Sequence, residues 1–206
     1  MREKEAGAAA GENGDYRMKQ SPQRREARTV KESALVTTHL MMPQDANPQG
    51  NVYGGTIMKY MDEVAGSVAA LHARKNVVTI SVDQMNFYAP VYIGNLLLLK
   101  ASVNFVGSTS MEIGVRIEAK SLQTGDVVHT GSSYLTFVAL DESGNPTQVA
   151  DIIPETSEEK RRYGEAKARR ARRLAAARKA EQVKQDGGDE TTGLKASGEI
   201  EKRPSK

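Results

Sequence analysis

The 206-residue chain predicts an α+β fold, with an antiparallel sheet of about five to six strands wrapped around one long central helix and a basic helical extension after it. Three observations carry this. A helical apolar pattern spans 55–73, four long β-rich runs follow it separated by short turns, and past residue 154 the composition shifts to Ala, Arg, Lys and Glu. Strand, helix and then consecutive strands is not a βαβ alternation, so a parallel sheet is not expected.

Residues 1–33 hold eight basic and six acidic residues with little to bury, and are expected to form a disordered arm. The domain is expected over 34–153. Residues 34–42 mix Leu, Val and Thr as a strand does, and Pro43, Pro48 and Gly50 make 43–51 a loop that carries Asn47. In the helix, Ile57, Met61, Val64, Val68 and Leu71 recur at 4-3-4-3 spacing and form one buried stripe. A different face holds Asp62, Ala65, Gly66 and Ala69, and small neighbours around a carboxylate point to a surface that another backbone or a ligand approaches. Strands are expected at 77–88, 96–106, 111–122 and 127–140, with turns at 89–95, Gly107-Ser108-Thr109-Ser110, Thr124-Gly125-Asp126 and 141–146. A helical extension at 154–185, capped by Thr156 or Ser157, is expected to be solvated, and 186–206 is expected to be a disordered tail.

Composition removes several classes. With no cysteine there is no disulfide framework, thiol nucleophile or cysteine metal site. No uninterrupted apolar run exceeds four residues, against roughly 20 for a bilayer span, and the N-terminus lacks an apolar signal core, so no membrane insertion and a cytoplasmic location are expected. His39, His72 and His129 show no metal-ligand spacing, so no metal is expected. Gly-x-Ser-x-Gly and P-loop motifs are missing. The net charge of +3 conceals a local +9 over residues 160–180 and −6 elsewhere, but no aromatic platform or groove-reading motif accompanies the basic stretch, and no nucleic-acid partner is expected.

What remains is the chemistry of residues 47–66. A loop amide (Asn47), a glycine pair opening a helix (Gly54, Gly55) and a helical carboxylate (Asp62) are the material for attack on a carbonyl. Bare backbone N–H groups and the positive helix end would face a developing oxyanion, and Asp62 would act as base or nucleophile. Plainer roles stand beside these: the glycines let the helix start pack on a strand, and Asn47 caps a turn next to Pro48. Glu63 points about 100° away and reads as a salt-bridge or solvent partner. Gly54 and Asp62 are eight residues apart, about 12 Å along a helix, so both cannot touch one carbonyl and a second chain is required. Ser108, Thr109 and Ser110 read either as an anion-binding turn or as a plain hairpin turn.

Several of these segments resemble one family. Met42-Pro43, Asn47-Pro48, Gly50-Asn51-Val52-Tyr53-Gly54-Gly55, Met61-Asp62-Glu63-Val64-Ala65, residues 79–83 with Phe87, and Gly107-Ser108-Thr109-Ser110-Met111-Glu112-Ile113 are similar to the acyl-CoA thioesterases of the hotdog superfamily, in the group of brain acyl-CoA hydrolase and its single-domain bacterial relatives. The likeness covers about residues 33–153. It implies hydrolysis of fatty acyl-CoA to free CoA and a carboxylic acid without metal or redox cofactor. By position it implies Asp62 as the catalytic carboxylate, Asn47 as its partner amide and Gly54 or Gly55 as backbone donor. It also implies dimers grouped into hexamers, and Ser108, Thr109 and Ser110 would then hold the CoA phosphates. A competing reading is a non-catalytic acyl-CoA-binding regulator using its basic tail on nucleic acid or protein. Another is a hotdog dehydratase, which would want a histidine in the motif segments; none is there.

Overall fold

The computed structural model describes residues 26–83 and 85–188. Its strands are β1 (Ala27–Thr29), β2 (Leu35–Leu40), β3 (Asn76–Val82), β4 (Asn86–Phe87), β5 (Leu96–Val106), β6 (Ser110–Lys120), β7 (Val127–Leu140) and β8 (Asp151–Ile153), and its helices are α1 (Gly54–Ala73) and α2 (Ser157–Gly188). The β-branched runs pair as one antiparallel sheet of six strands in the order β2-β5-β6-β7-β3, with β4 also on β7. Short turns between β5, β6 and β7 make these three hairpin neighbours, as their spacing predicts. The expected run 77–88 is divided into β3 and β4.

Helix α1 lies on the inner face of the sheet. Ile57, Met61, Val64 and Val68 are buried with Leu97, Leu99, Ile113, Leu135 and Phe137 in one core, each large apolar side chain contributing about 1.5–3 kcal/mol by leaving water. Two expectations need correction. Leu71 is half exposed and His72 is buried in its place, because the helix turns its Ala65, Ala69 and His72 side toward the sheet. The small-residue face therefore packs on the chain's own core: Ala65 and Ala69 are fully buried, and a Cβ on Gly66 would sit 3.6 Å from the Phe137 ring. Small side chains let the helix settle close to the sheet, and Asp62 at the margin of that face remains exposed.

The arm expected at 1–33 is ordered from residue 27, and its first 25 residues lie outside the described residues. β1 pairs in parallel with β8, more than 120 positions away, a contact that no local pattern announces. Arg28 is buried and donates to the His72 carbonyl at the C-terminal end of α1, where free carbonyls and the helix dipole favour a cation. Helix α2 opens with a capping box: Thr156 Oγ1 accepts from the Glu159 N–H (3.2 Å) and Glu159 Oε2 accepts from the Thr156 N–H (3.0 Å), which holds the Glu159 carboxyl below its usual range. The extension is not solvated on all sides. Ala166 is fully buried and the Tyr163 ring lies 5.2 Å from Phe105, so the first half of α2 docks on the outer face of the sheet. The helix runs to Gly188, slightly past the expected 154–185, and 189–206 lie outside the described residues.

His72 is fully buried, with Nε2 donating to the Ala150 carbonyl at 3.1 Å and Nδ1 without a partner. Burial, aided by the Arg28 cation and only partly offset by the Ala150 bond, Glu32 and Glu26, holds its pKa below the usual 6.5. A folded-state pKa below the unfolded one means that the unfolded chain binds the proton first as pH falls through 6.5. Stability is complete above that value and is lost below it. The urea midpoint is expected to drop between pH 7 and pH 5, and His72→Gln should flatten that slope. An unchanged slope in the variant would assign it to other groups.

Candidate active site

Asp62 sits on the exposed side of α1 and is held from the sheet. The Thr79 hydroxyl, on β3, donates to Asp62 Oδ1 at 2.9 Å. Thr79 stands opposite Phe137, an inward-facing residue of β7, so its side chain points toward α1. Immediately after it the register shifts: Thr79 pairs with Phe137 but Ser81 with Thr136, leaving Ile80 bulged. Spacing and residue type single out Asp62 but not Thr79, since threonine is an ordinary strand residue; only its place in the 79–83 motif marked it.

Asn47 is half-buried in a loop closed by the Ala46 and Val52 bridge. Its Oδ1 accepts from the N–H groups of Gln49 (2.9 Å) and Asn51 (3.1 Å), so the turn-capping role is filled by the oxygen. What the side chain can offer another molecule is its Nδ2 donor. Glu63 lies 3.7 Å from Lys59 on the solvent side, as the helix geometry predicts.

The two glycines at the start of α1 differ. Neither has positive φ, so backbone freedom is not their purpose. A Cβ on Gly54 would make ordinary contact with the Phe87 ring at 3.4 Å, whereas one on Gly55 would meet nothing within 4 Å. Packing within the chain therefore gives no reason for glycine at 55, and the first-turn N–H groups there have no intrahelical acceptor. The structure brings Thr79 to Asp62; Asn47 and the glycines stand at the other end of α1's first two turns.

The Gly107–Ser110 turn is woven into its hairpin. Gly107 N–H donates to the Ser110 carbonyl (2.7 Å), Ala139 N–H to that of Thr109 (3.0 Å) and Val149 N–H to that of Ser108 (3.1 Å). A Cβ at Gly107 would come within 3.3 Å of the Arg170 guanidinium, so α2 places a cation beside these hydroxyls. A cavity of about 620 Å³ lies on the outer face of the sheet among Lys100, Asn104, Arg116, Arg161 and Arg162, and neither Asp62 nor Asn47 lines it. Asp62 instead borders an open edge: β3 ends the sheet and exposes Val78 (40%), Ile80 (61%) and Val82 (43%), with Phe87 and Tyr88 beside them. No helix among the described residues is long and apolar enough to cross a membrane.

Comparison with known proteins agrees with this fold. The thioesterase superfamily model matches residues 49–126. The uncharacterized acyl-CoA thioester hydrolase YkhA of Bacillus subtilis is 40% identical over 134 residues, 65% of this chain and 78% of its own. The cytosolic acyl coenzyme A thioester hydrolase of Rattus norvegicus is 38% identical over 70% of this chain, which spans 38% of that longer relative. An apo-hexameric acyl-CoA thioesterase superposes with a TM-score of 0.72 at 40% identity, covering 74% of this chain and 97% of that one. The acyl-CoA hydrolase of Staphylococcus aureus, solved with butyryl coenzyme A and coenzyme A, superposes with a TM-score of 0.72 at 34% identity, covering 79% and 99%. That hydrolase has also been solved with alanine replacing an asparagine, an aspartate and a threonine, which follow one another at intervals of 15 and 17 residues. The chain belongs to the acyl-CoA thioester hydrolases of the hotdog superfamily.

Because Gly55 has open space and ordinary φ, Gly55→Ala should leave the protein as stable or about 0.5–1 kcal/mol more stable while lowering thioester hydrolysis. Thermal unfolding and thiol-release assays check the two halves. A variant of full activity would leave the glycine without a role in the site.

Proposed function

We propose that the chain hydrolyses fatty acyl-CoA thioesters in an active site shared by two copies, Asp62 with Thr79 coming from one protomer and Asn47 with the Gly54 and Gly55 backbone from its partner. The observation that carries this reading is the Asp62–Thr79 bond at an exposed apolar sheet edge. An edge strand bearing Val78, Ile80 and Val82 is suited to pair with a second copy, and a two-fold partner is what lets a helix start about 12 Å from Asp62 in its own chain serve the same carbonyl. The intervals from Asn47 to Asp62 and from Asp62 to Thr79 are likewise 15 and 17 residues, matching the positions replaced in the Staphylococcus aureus hydrolase. The hexameric relative supports a trimer of such dimers, and the cytosolic relative supports a cytoplasmic location.

Thr79 occupies Oδ1 of Asp62 and leaves Oδ2 to take a proton from an attacking water, or to attack and form an anhydride that water then opens. Charge develops on the thioester oxygen as the tetrahedral intermediate forms. Backbone N–H groups at the α1 N-terminus offset it, each such donor being worth about 3 kcal/mol. Collapse expels the CoA thiolate, whose thiol resembles cysteine with a pKa of about 8.5 and leaves without a general acid. Asn47 Nδ2 orients the acyl carbonyl, while Ser108, Thr109 and Ser110 with Arg170 take the CoA phosphates. A regulator that only binds acyl-CoA has no use for a carboxylate held in this way, which favours the enzyme.

Asp62→Asn and Asn47→Ala should each fold and assemble yet lose about 10²- to 10⁴-fold in turnover. Co-expressed in equal amounts, these two inactive variants should recover about a quarter of wild-type turnover, because half of the dimers are mixed and each mixed dimer holds one intact site. No recovery in verified mixed dimers would place the whole site within one chain and refute the shared arrangement.

A further inference from the structure

Thr79 and Asp83 are four residues apart and would share a face in a regular strand. They do not. The bulge at Ile80 moves the chain by one position, so that Thr79 faces α1 on the inner side while Asp83 emerges on the outer side, its N–H donating to the Tyr134 carbonyl at 2.8 Å. On that outer side it meets α2. Arg173 Nη1 lies 2.5 Å from Asp83 Oδ2 and 3.2 Å from Glu112 Oε2. Glu112, on β6, has a side chain only 1% exposed and also takes Arg169, whose Nη2 is 2.7 Å from Oε1 and whose guanidinium lies 3.6 Å over the Tyr134 ring. The outer anchor of β3 is thus fastened through α2 to a strand in the middle of the sheet.

An outermost strand is the one most free to slip, and a slip of one residue turns every side chain to the other face. For β3 that would carry the Thr79 hydroxyl away from Asp62. We infer that α2 is a register clamp for β3, with Arg173 and Asp83 as positioning residues that keep Thr79 on the α1 side. This rests on the reading of Asp62 and Thr79 given above. It gives the basic extension a purpose within the chain: two of its arginines face inward onto carboxylates of the sheet.

The test uses the full-length chain, with kcat and KM measured for acyl-CoA hydrolysis. Arg173→Met and Asp83→Asn are each expected to lower kcat about tenfold with KM within about twofold, and Arg173→Lys should restore part of the loss. Arg172→Met, which removes an exposed cation of α2, should leave both constants unchanged. In a Thr79→Val background, Arg173→Met and Asp83→Asn should each add less than about twofold, because they act through the same hydroxyl. If they multiply the Thr79→Val loss instead, or leave kcat intact while Thr79→Val lowers it, the clamp is refuted and the site reading survives. A Thr79→Val enzyme of full kcat would overturn both. Where Arg173→Met proves too unstable to assay, the isosteric Asp83→Asn decides.

Discussion

One hydrogen bond joins the two parts of the molecule on which the rest depends: Thr79 Oγ1 to Asp62 Oδ1 ties the central helix to the outermost strand of the sheet. In the proposed site the carboxylate has to be held in one geometry and yet stay open to a second molecule. A residue in the body of the sheet would be buried, and one on a loop would be loosely placed. The margin of a buried helix beside an edge strand meets both demands. The bond forms only if the helix lies close to the sheet, which Ala65, Gly66 and Ala69 permit, and only if β3 keeps its register.

The two faces of the sheet are built from different interactions. Inside, α1 is held by apolar packing, which is strong but non-directional. Outside, α2 is held by Ala166 and by Tyr163 against Phe105 and, one to three turns further on, by a charged cluster centred on Glu112. A buried ion pair of this sort is weak evidence for stability, since desolvation offsets much of the attraction. Its geometry, however, is demanding: Arg169 approaches Glu112 through both Nε and Nη2, while Arg173 bridges Glu112 and Asp83. Directionality of that kind fixes where a helix docks and along which line it runs. The same division recurs at the end of α1, where the helix is packed by its apolar face but finished by Arg28 from a strand far away in sequence.

Much of this was legible in the residues. The strands from β5 to β7 fall where β-branched runs and turn residues put them, and Asp62, Asn47, Gly54 and Gly55 stand out because amide, paired glycine and carboxylate in that order are hard to explain by packing alone. Three things were misleading or silent. The small-residue face read as a surface for another backbone or a ligand and proved to be core, because small side chains serve close helix-to-sheet packing and close ligand approach equally well. Leu71 satisfied the helical period yet lies half outside, since the period sets an angle and not where the sheet is. Arg169 and Arg173 were indistinguishable from their basic neighbours in 160–180, because inward and outward charges on a helix differ only in what they meet.

By itself, the sequence determined the order of the long elements, β2, α1 and β5 to β7, and the chemical groups available at the start and middle of α1, since apolar period, turn residues and side-chain chemistry are local properties. The tertiary structure alone decided that Thr79 meets Asp62 across 17 residues, that a one-residue bulge sends Asp83 to the opposite face, and that α2 lies on the sheet instead of in solvent. Those outcomes depend on strand register and on buried partners distant along the chain, and neither is written in any local run of residues.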